Sequence, residues 1–301
     1  MYPARPAASG PWDPGGDWRA ARLQAARAQR RGLPPPWPGA LRPEGYRVVD
    51  RTADGGGALG CDAIAPHVGE FDRYQVGILI LLWVFIFFMW DSPVVYPVKM
   101  LVVFFHESSH GLVALLTGGR VDSMSLSPFQ GGVCYTSGGS RFLILSAGYL
   151  GSLIWGGVIL ILAARTRLGR FTSLALGSIA FIVGVIFVRP LISFGQLFVV
   201  AAGVGLFAAG YLLPEQINDM VLRLIGLTSC MYAPLDIKSD VLDRPYLQSD
   251  AQMLAQLTGI SGFLWGLVWI LIACACTAYF VLLASKPKLE VGFAAWPAFT
   301  L

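Results

Sequence analysis

From residue 74 onward the chain is a series of long apolar runs broken by short polar punctuation. The runs cover 74–90, 97–116, 142–164, 171–188, 190–214 and 262–284. At 1.5 Å per residue, a helix needs about 20 apolar residues to cross a bilayer. Read this way, the runs are six membrane spans. The cleanest, 142–164, has 23 residues without a charge, and the shortest, 74–90, has 17 and ends in Trp90 at the expected interface. Only Arg189 separates the fourth run from the fifth, which makes them either two spans joined by a tight turn or one broken helix.

Two stretches depart from this pattern. Residues 120–138 alternate apolar and polar positions in "RVDSMSLSP" and "GVCYTSG", with "FQGG" between them supplying turn chemistry. That alternation predicts a β-hairpin at the membrane boundary. Residues 215–261 are mixed. Their middle, 220–235, is apolar apart from Arg223, too short and punctuated for a span, and suits a half-buried helix packed inside the bundle. Pro234 is expected to break that helix and free backbone groups. The fold class expected is therefore an all-α polytopic membrane protein of about six spans with one small β-hairpin.

Composition agrees. Of 301 residues, 55% are hydrophobic and only 13% charged, against about 25% charged in a soluble domain; mean hydropathy is +0.62. A net charge of +4, scattered along the chain, gives no footprint for nucleic acid. The five cysteines (Cys61, Cys134, Cys230, Cys274, Cys276) contain no CxxC pair, so neither a disulfide framework nor a cysteine zinc knuckle is expected. Residues 1–70 are rich in Pro, Gly, Ala and Arg and read as a disordered tail, with a short helix conceivable over 17–31. The membrane domain is expected over 71–285 and a short tail over 286–301. No apolar core follows Met1, so no secretory leader is expected. Arg165, Arg167 and Arg170 crowd one short loop, which the positive-inside rule puts on the cytosolic side.

One span carries what a span should not. His106, Glu107 and His110 lie inside the 97–116 run. Burying such groups in hydrocarbon costs several kcal/mol unless each is partnered. Their spacing is HExxH. Residues four apart share a helix face, so both imidazoles can reach one metal. Glu107, turned by about 100°, can contact water at an open coordination position. Zinc suits such a site: it accepts imidazole nitrogen and lowers the pKa of bound water to roughly 7. Glu107 would then act as general base. A pair of membrane histidines hydrogen-bonded to neighbouring helices is the plainer alternative, but three ionisable groups at this spacing favour the metal.

The stretch 104–139, "FFHESSHGLVALLTGGRVDSMSLSPFQGGVCYTSGG", resembles the site-2-protease-like intramembrane zinc metallopeptidases. The matching residues are His106, Glu107, His110 and Gly111, followed by the glycine pairs Gly118-Gly119, Gly131-Gly132 and Gly138-Gly139. The resemblance implies zinc-dependent hydrolysis of peptide bonds in membrane-anchored protein substrates. It also implies a third metal ligand from a distant aspartate in an Asp-Gly context, which the membrane part of this chain lacks. The nearest candidate is Asp236 in "SCMYAPLDIKSD", with Asp240 in reserve and Asp219 and Asp250 behind; His67 lies in the tail and is set aside. The hairpin around Gly131, Gly132 and Val133 is a candidate edge for an extended substrate, or an ordinary connection. A different class also stands open: a catalytically inactive zinc-binding protein that serves as partner or chaperone of other membrane proteins. A transporter is disfavoured by the lack of a convincing inverted repeat.

Overall fold

The computed structural model describes residues 71–244 and 246–289. The readings of the N-terminal tail, its short helix, His67 and residues 290–301 lie outside the described residues. Among the described residues the chain forms eight α-helices and one two-stranded sheet. In order these are α1 (Arg73–Phe88), α2 (Tyr96–Leu116), β1 (Arg120–Ser127), β2 (Gly131–Ser137), α3 (Arg141–Arg165), α4 (Gly169–Ile186), α5 (Phe194–Leu212), α6 (Glu215–Lys238), α7 (Asp250–Thr258) and α8 (Gly262–Ala284).

Six helices are long and apolar enough to cross a membrane, but they are not the six that hydropathy alone selects. The 74–90 run forms α1, whose 16 residues reach about 24 Å, short of a hydrocarbon core of about 30 Å. Its place is taken by α6, which continues through a π-helical turn at Ser239–Asp243 and qualifies over Glu215–Asp243. Two thirds of that helix's apolar window is buried inside the protein, so Asp219, Arg223 and Asp236 need not meet lipid. The fourth and fifth runs are two helices, α4 and α5, joined by 187–193.

Pro234 does not end α6, contrary to expectation. A proline deprives the carbonyl four residues back of its donor. Here that carbonyl, of Cys230, accepts a hydrogen bond from the Thr277 hydroxyl of α8 at 3.1 Å. Ala233 and Ile237, either side of the proline, are buried in the core shared by α3, α6, α7 and α8. Packing and a borrowed donor hold the helix where its own ladder fails.

Helix α2 packs against α3, α6 and both strands. Pro97 opens it, and Gly118 at φ 84° follows its end, as helix start and stop chemistry requires. Met100 to Phe105 are all buried in the main core. Close helix packing relies on glycine. A Cβ on Gly156 of α3 would stand 2.9 Å from the Gly226 carbonyl of α6, and one on Gly226 would stand 2.7 Å from the Leu160 nitrogen.

The hairpin forms where the alternation predicts it. Strands β1 and β2 pair antiparallel from Arg120↔Ser137 to Ser127↔Gly131, and Gln130 closes the three-residue turn at φ 61°. The outer edge of β1 is not free. The Met124 N–H donates to the Phe187 carbonyl and the Arg189 N–H to the Met124 carbonyl, each at 2.8 Å. The α4–α5 connection thus covers β1, and β2 is left to face the site.

Candidate metal and peptidase site

The HExxH turn follows directly on the fully buried stretch Met100–Phe105 of α2, and that packing encloses its polar groups. Glu107 and His110 are buried, and the His106 side chain is 13% exposed. Both rings are aimed by their neighbours. His110 donates from Nδ1 to the Ile144 carbonyl of α3 at 2.7 Å, the tautomer that leaves Nε2 with its lone pair free. The His106 ring meets those of His110 and Tyr149 edge-on, at centroid distances of 4.8 and 5.1 Å.

The two Nε2 atoms converge on one carboxylate. Asp250 Oδ2 lies 3.1 Å from His106 Nε2 and 3.1 Å from His110 Nε2. These are the three groups whose ligand atoms all fall within 4.8 Å of one another. Ligand atoms around a tetrahedral zinc stand roughly 3.4 Å apart, and the two contacts of Asp250 Oδ2 at 3.1 Å already lie near that spacing. Two imidazoles and one carboxylate also form a donor set typical of catalytic zinc, with a position left for water or substrate.

Asp236, the residue favoured from sequence, is not the one brought to both imidazoles. Its Oδ2 lies 3.9 Å from His106 Nδ1, on the far side of that ring from Asp250. The reserve, Asp240, accepts from the Tyr149 hydroxyl at 2.7 Å and from Arg244 at 3.0 Å. Asp219 is paired with Lys288 at 3.3 Å and packs on Gly169, near the start of α6, which puts it about 25 Å along the helix from Asp236. The signal that would have found Asp250 is local. Asp250, Ala251 and Leu254 share one face of α7, and all three are buried. A carboxylate on a buried stripe is no solvated cap.

Glycine shapes the room around the ligands. A Cβ on Gly148 of α3 would fall 2.3 Å from His106 Nε2 and 2.6 Å from His110 Nε2, in the space between the two nitrogens. Gly148→Ala is therefore expected to lose stoichiometric zinc, measured by elemental analysis of the purified protein, because the methyl group fills the metal's place. Gly132 of β2 makes a second close approach: a Cβ there would lie 2.6 Å from Glu107 Oε1. The Cys134 backbone N–H faces the same carboxylate, while Glu107 Oε2, though buried, has no hydrogen-bond partner. Glu107 thus faces the strand and keeps one uncommitted oxygen, Oε2. Burial, with the Glu107 charge adding to it, pushes the Cys134 thiol up to about 12, so it is no nucleophile at neutral pH.

His106, Glu107, His110 and Asp250 line a cleft of about 850 Å³, together with Gly131 to Thr136 of β2 and with Asp236, Asp240 and Arg244. The hairpin around Gly131, Gly132 and Val133 therefore borders the same cleft as Glu107.

Comparison with known proteins agrees with this architecture. The family model described as Peptidase M50B-like matches residues 79–280, a span holding every helix from α2 to α7, the hairpin, most of α1 and α8, and His106, Glu107, His110, Asp236 and Asp250. Comparisons with curated proteins and with solved structures give no match. With well over half of its length matched, the chain belongs to the Peptidase M50B-like family, the family of the site-2 proteases.

Proposed function

We propose that the protein is a multi-pass intramembrane zinc metalloendopeptidase that hydrolyses peptide bonds in membrane-anchored protein substrates. The observation that carries this reading is the convergence of His106, His110 and Asp250 beside a buried Glu107 with one uncommitted oxygen, in a cleft bordered by a strand edge. His106, His110 and Asp250 would hold the zinc. When bound, zinc supplies Lewis-acid chemistry toward water and the scissile carbonyl.

The chain's own residues do the rest. An extended substrate segment pairs with the β2 edge, because β1 is already covered and β2 lines the cleft. A substrate helix must unwind before its peptide bond is open to attack, and a strand edge returns hydrogen bonds to the backbone groups it exposes. Gly132 removes the side chain that would otherwise separate the strand from Glu107. Glu107 Oε2 takes the proton of the attacking water and passes it to the leaving amine. Enclosure of Glu107 and His110 keeps bulk water from competing for these hydrogen bonds.

The test is cleavage of a single-span substrate by the full chain reconstituted in lipid vesicles. Cleavage should stop when a chelator strips the metal and return when zinc is restored. Stoichiometric zinc without hydrolysis of any substrate tried would select the inactive partner protein instead.

A further inference from the structure

The two imidazoles are supported differently from behind. His110 Nδ1 donates to a neutral carbonyl, that of Ile144, at 2.7 Å. His106 Nδ1 has no hydrogen-bond partner among the described residues, and the group it faces is a carboxylate, Asp236 Oδ2 at 3.9 Å. We propose that Asp236 is a positioning residue, which holds His106 in the tautomer and orientation that present Nε2 to zinc. The inference rests on the zinc-peptidase reading and assigns a role within it.

The argument is electrostatic. His106 stands between two carboxylates, Asp250 at Nε2 and Asp236 at Nδ1. A neutral imidazole has one proton to give. If it lies on Nε2 it bonds Asp250 at 3.1 Å, and that tautomer cannot bind metal. If it lies on Nδ1 it points at Asp236, and Nε2 is free. An acceptor oxygen on the Nδ1 side, as Asp236 Oδ2 is, favours the second state and makes the nitrogen a better donor to a cation, as carboxylates behind metal-bound histidines do. At 3.9 Å the contact is longer than a hydrogen bond.

The fold holds Asp236 in place for this. It stands between Pro234, whose orphaned carbonyl partner is satisfied from α8, and the π-helical turn at Ser239–Asp243. One turn on, Asp240 is held from two sides by Tyr149 and Arg244. The Tyr149 ring that donates to Asp240 is also the ring packed edge-on against His106. Tyr149 thereby ties the segment that carries Asp236 to the imidazole it faces.

The experiment measures zinc affinity of the full-length protein by chelator competition, with no substrate present. Asp236→Asn should weaken zinc binding by about 10- to 100-fold. Asp236→Glu should restore part of it. The cobalt-substituted Asp236→Asn protein should keep the wild-type visible spectrum, because its ligands are unchanged, and its metal-free thermal midpoint should match wild type. Glu107→Gln should bind zinc normally, so failure of the peptidase reading is seen in cleavage and failure of this proposal in affinity. Wild-type affinity in Asp236→Asn overturns the proposal. So does an altered cobalt spectrum, which would make Asp236 a ligand, or a matching fall in metal-free stability, which would make it a packing residue.

Discussion

Glu107→Gln should retain zinc and lose cleavage by roughly 10³- to 10⁴-fold, the range for removal of a general base. The substitution changes little else. Glutamine has the same shape, so the close fit against Gly132 survives, and its carbonyl oxygen still faces the Cys134 N–H. Glu107 is not among the three groups that converge on the metal position, so the ligands are untouched. The one thing lost is an oxygen able to take a proton, where the native carboxylate has a buried, uncommitted Oε2. Cleavage of a single-span substrate in vesicles, normalised to zinc content, measures the effect. Turnover within a few-fold of wild type would remove Glu107 from the chemistry.

Asp250→Asn should strip the metal and the activity together. Zinc sites with four protein ligands are worth about 10–16 kcal/mol, or about 3 kcal/mol per ligand, so losing one anionic ligand predicts roughly a 100-fold loss of affinity or more. Asp250 is the carboxylate within 3.1 Å of both Nε2 atoms, and an amide in its place leaves those lone pairs without an anionic third arm. The cobalt spectrum should change in this variant. That separates a ligand from Asp236, which touches only one ring and from its other side. Wild-type zinc affinity in Asp250→Asn would refute the assignment of the third ligand.

Much of this was legible along the chain because it is local. HExxH is a statement about one helix face, and the four-residue spacing of His106 and His110 brings their rings together on any helix. The hairpin was legible because alternation and turn chemistry need only neighbouring residues, and β1 and β2 form close to where they were read. Long apolar runs found α2, α3, α4, α5 and α8 because lipid is a solvent that selects by composition.

What lay beyond sequence was non-local. The 74–90 run is apolar but too short to count among the six, and 215–243 is punctuated by charge yet long enough, because neighbouring helices rather than lipid surround much of it. Pro234 reads as a break only until Thr277, 47 residues from Cys230, supplies the missing donor.

The third arm shows the division most clearly. The chain alone places two imidazoles and a carboxylate on about one turn of an apolar helix, where they need polar partners. It could not rank the aspartates that follow, because each has the same chemistry and differs only in where the bundle carries it. Asp250 lies 144 residues from His106 and meets it only because α6 runs unbroken past Pro234 and α7 folds back over the ring. Tertiary packing therefore brought Asp250 to the Nε2 atoms of both imidazoles and left Asp236 at the other nitrogen of His106, and sequence separation carries no information about such distances.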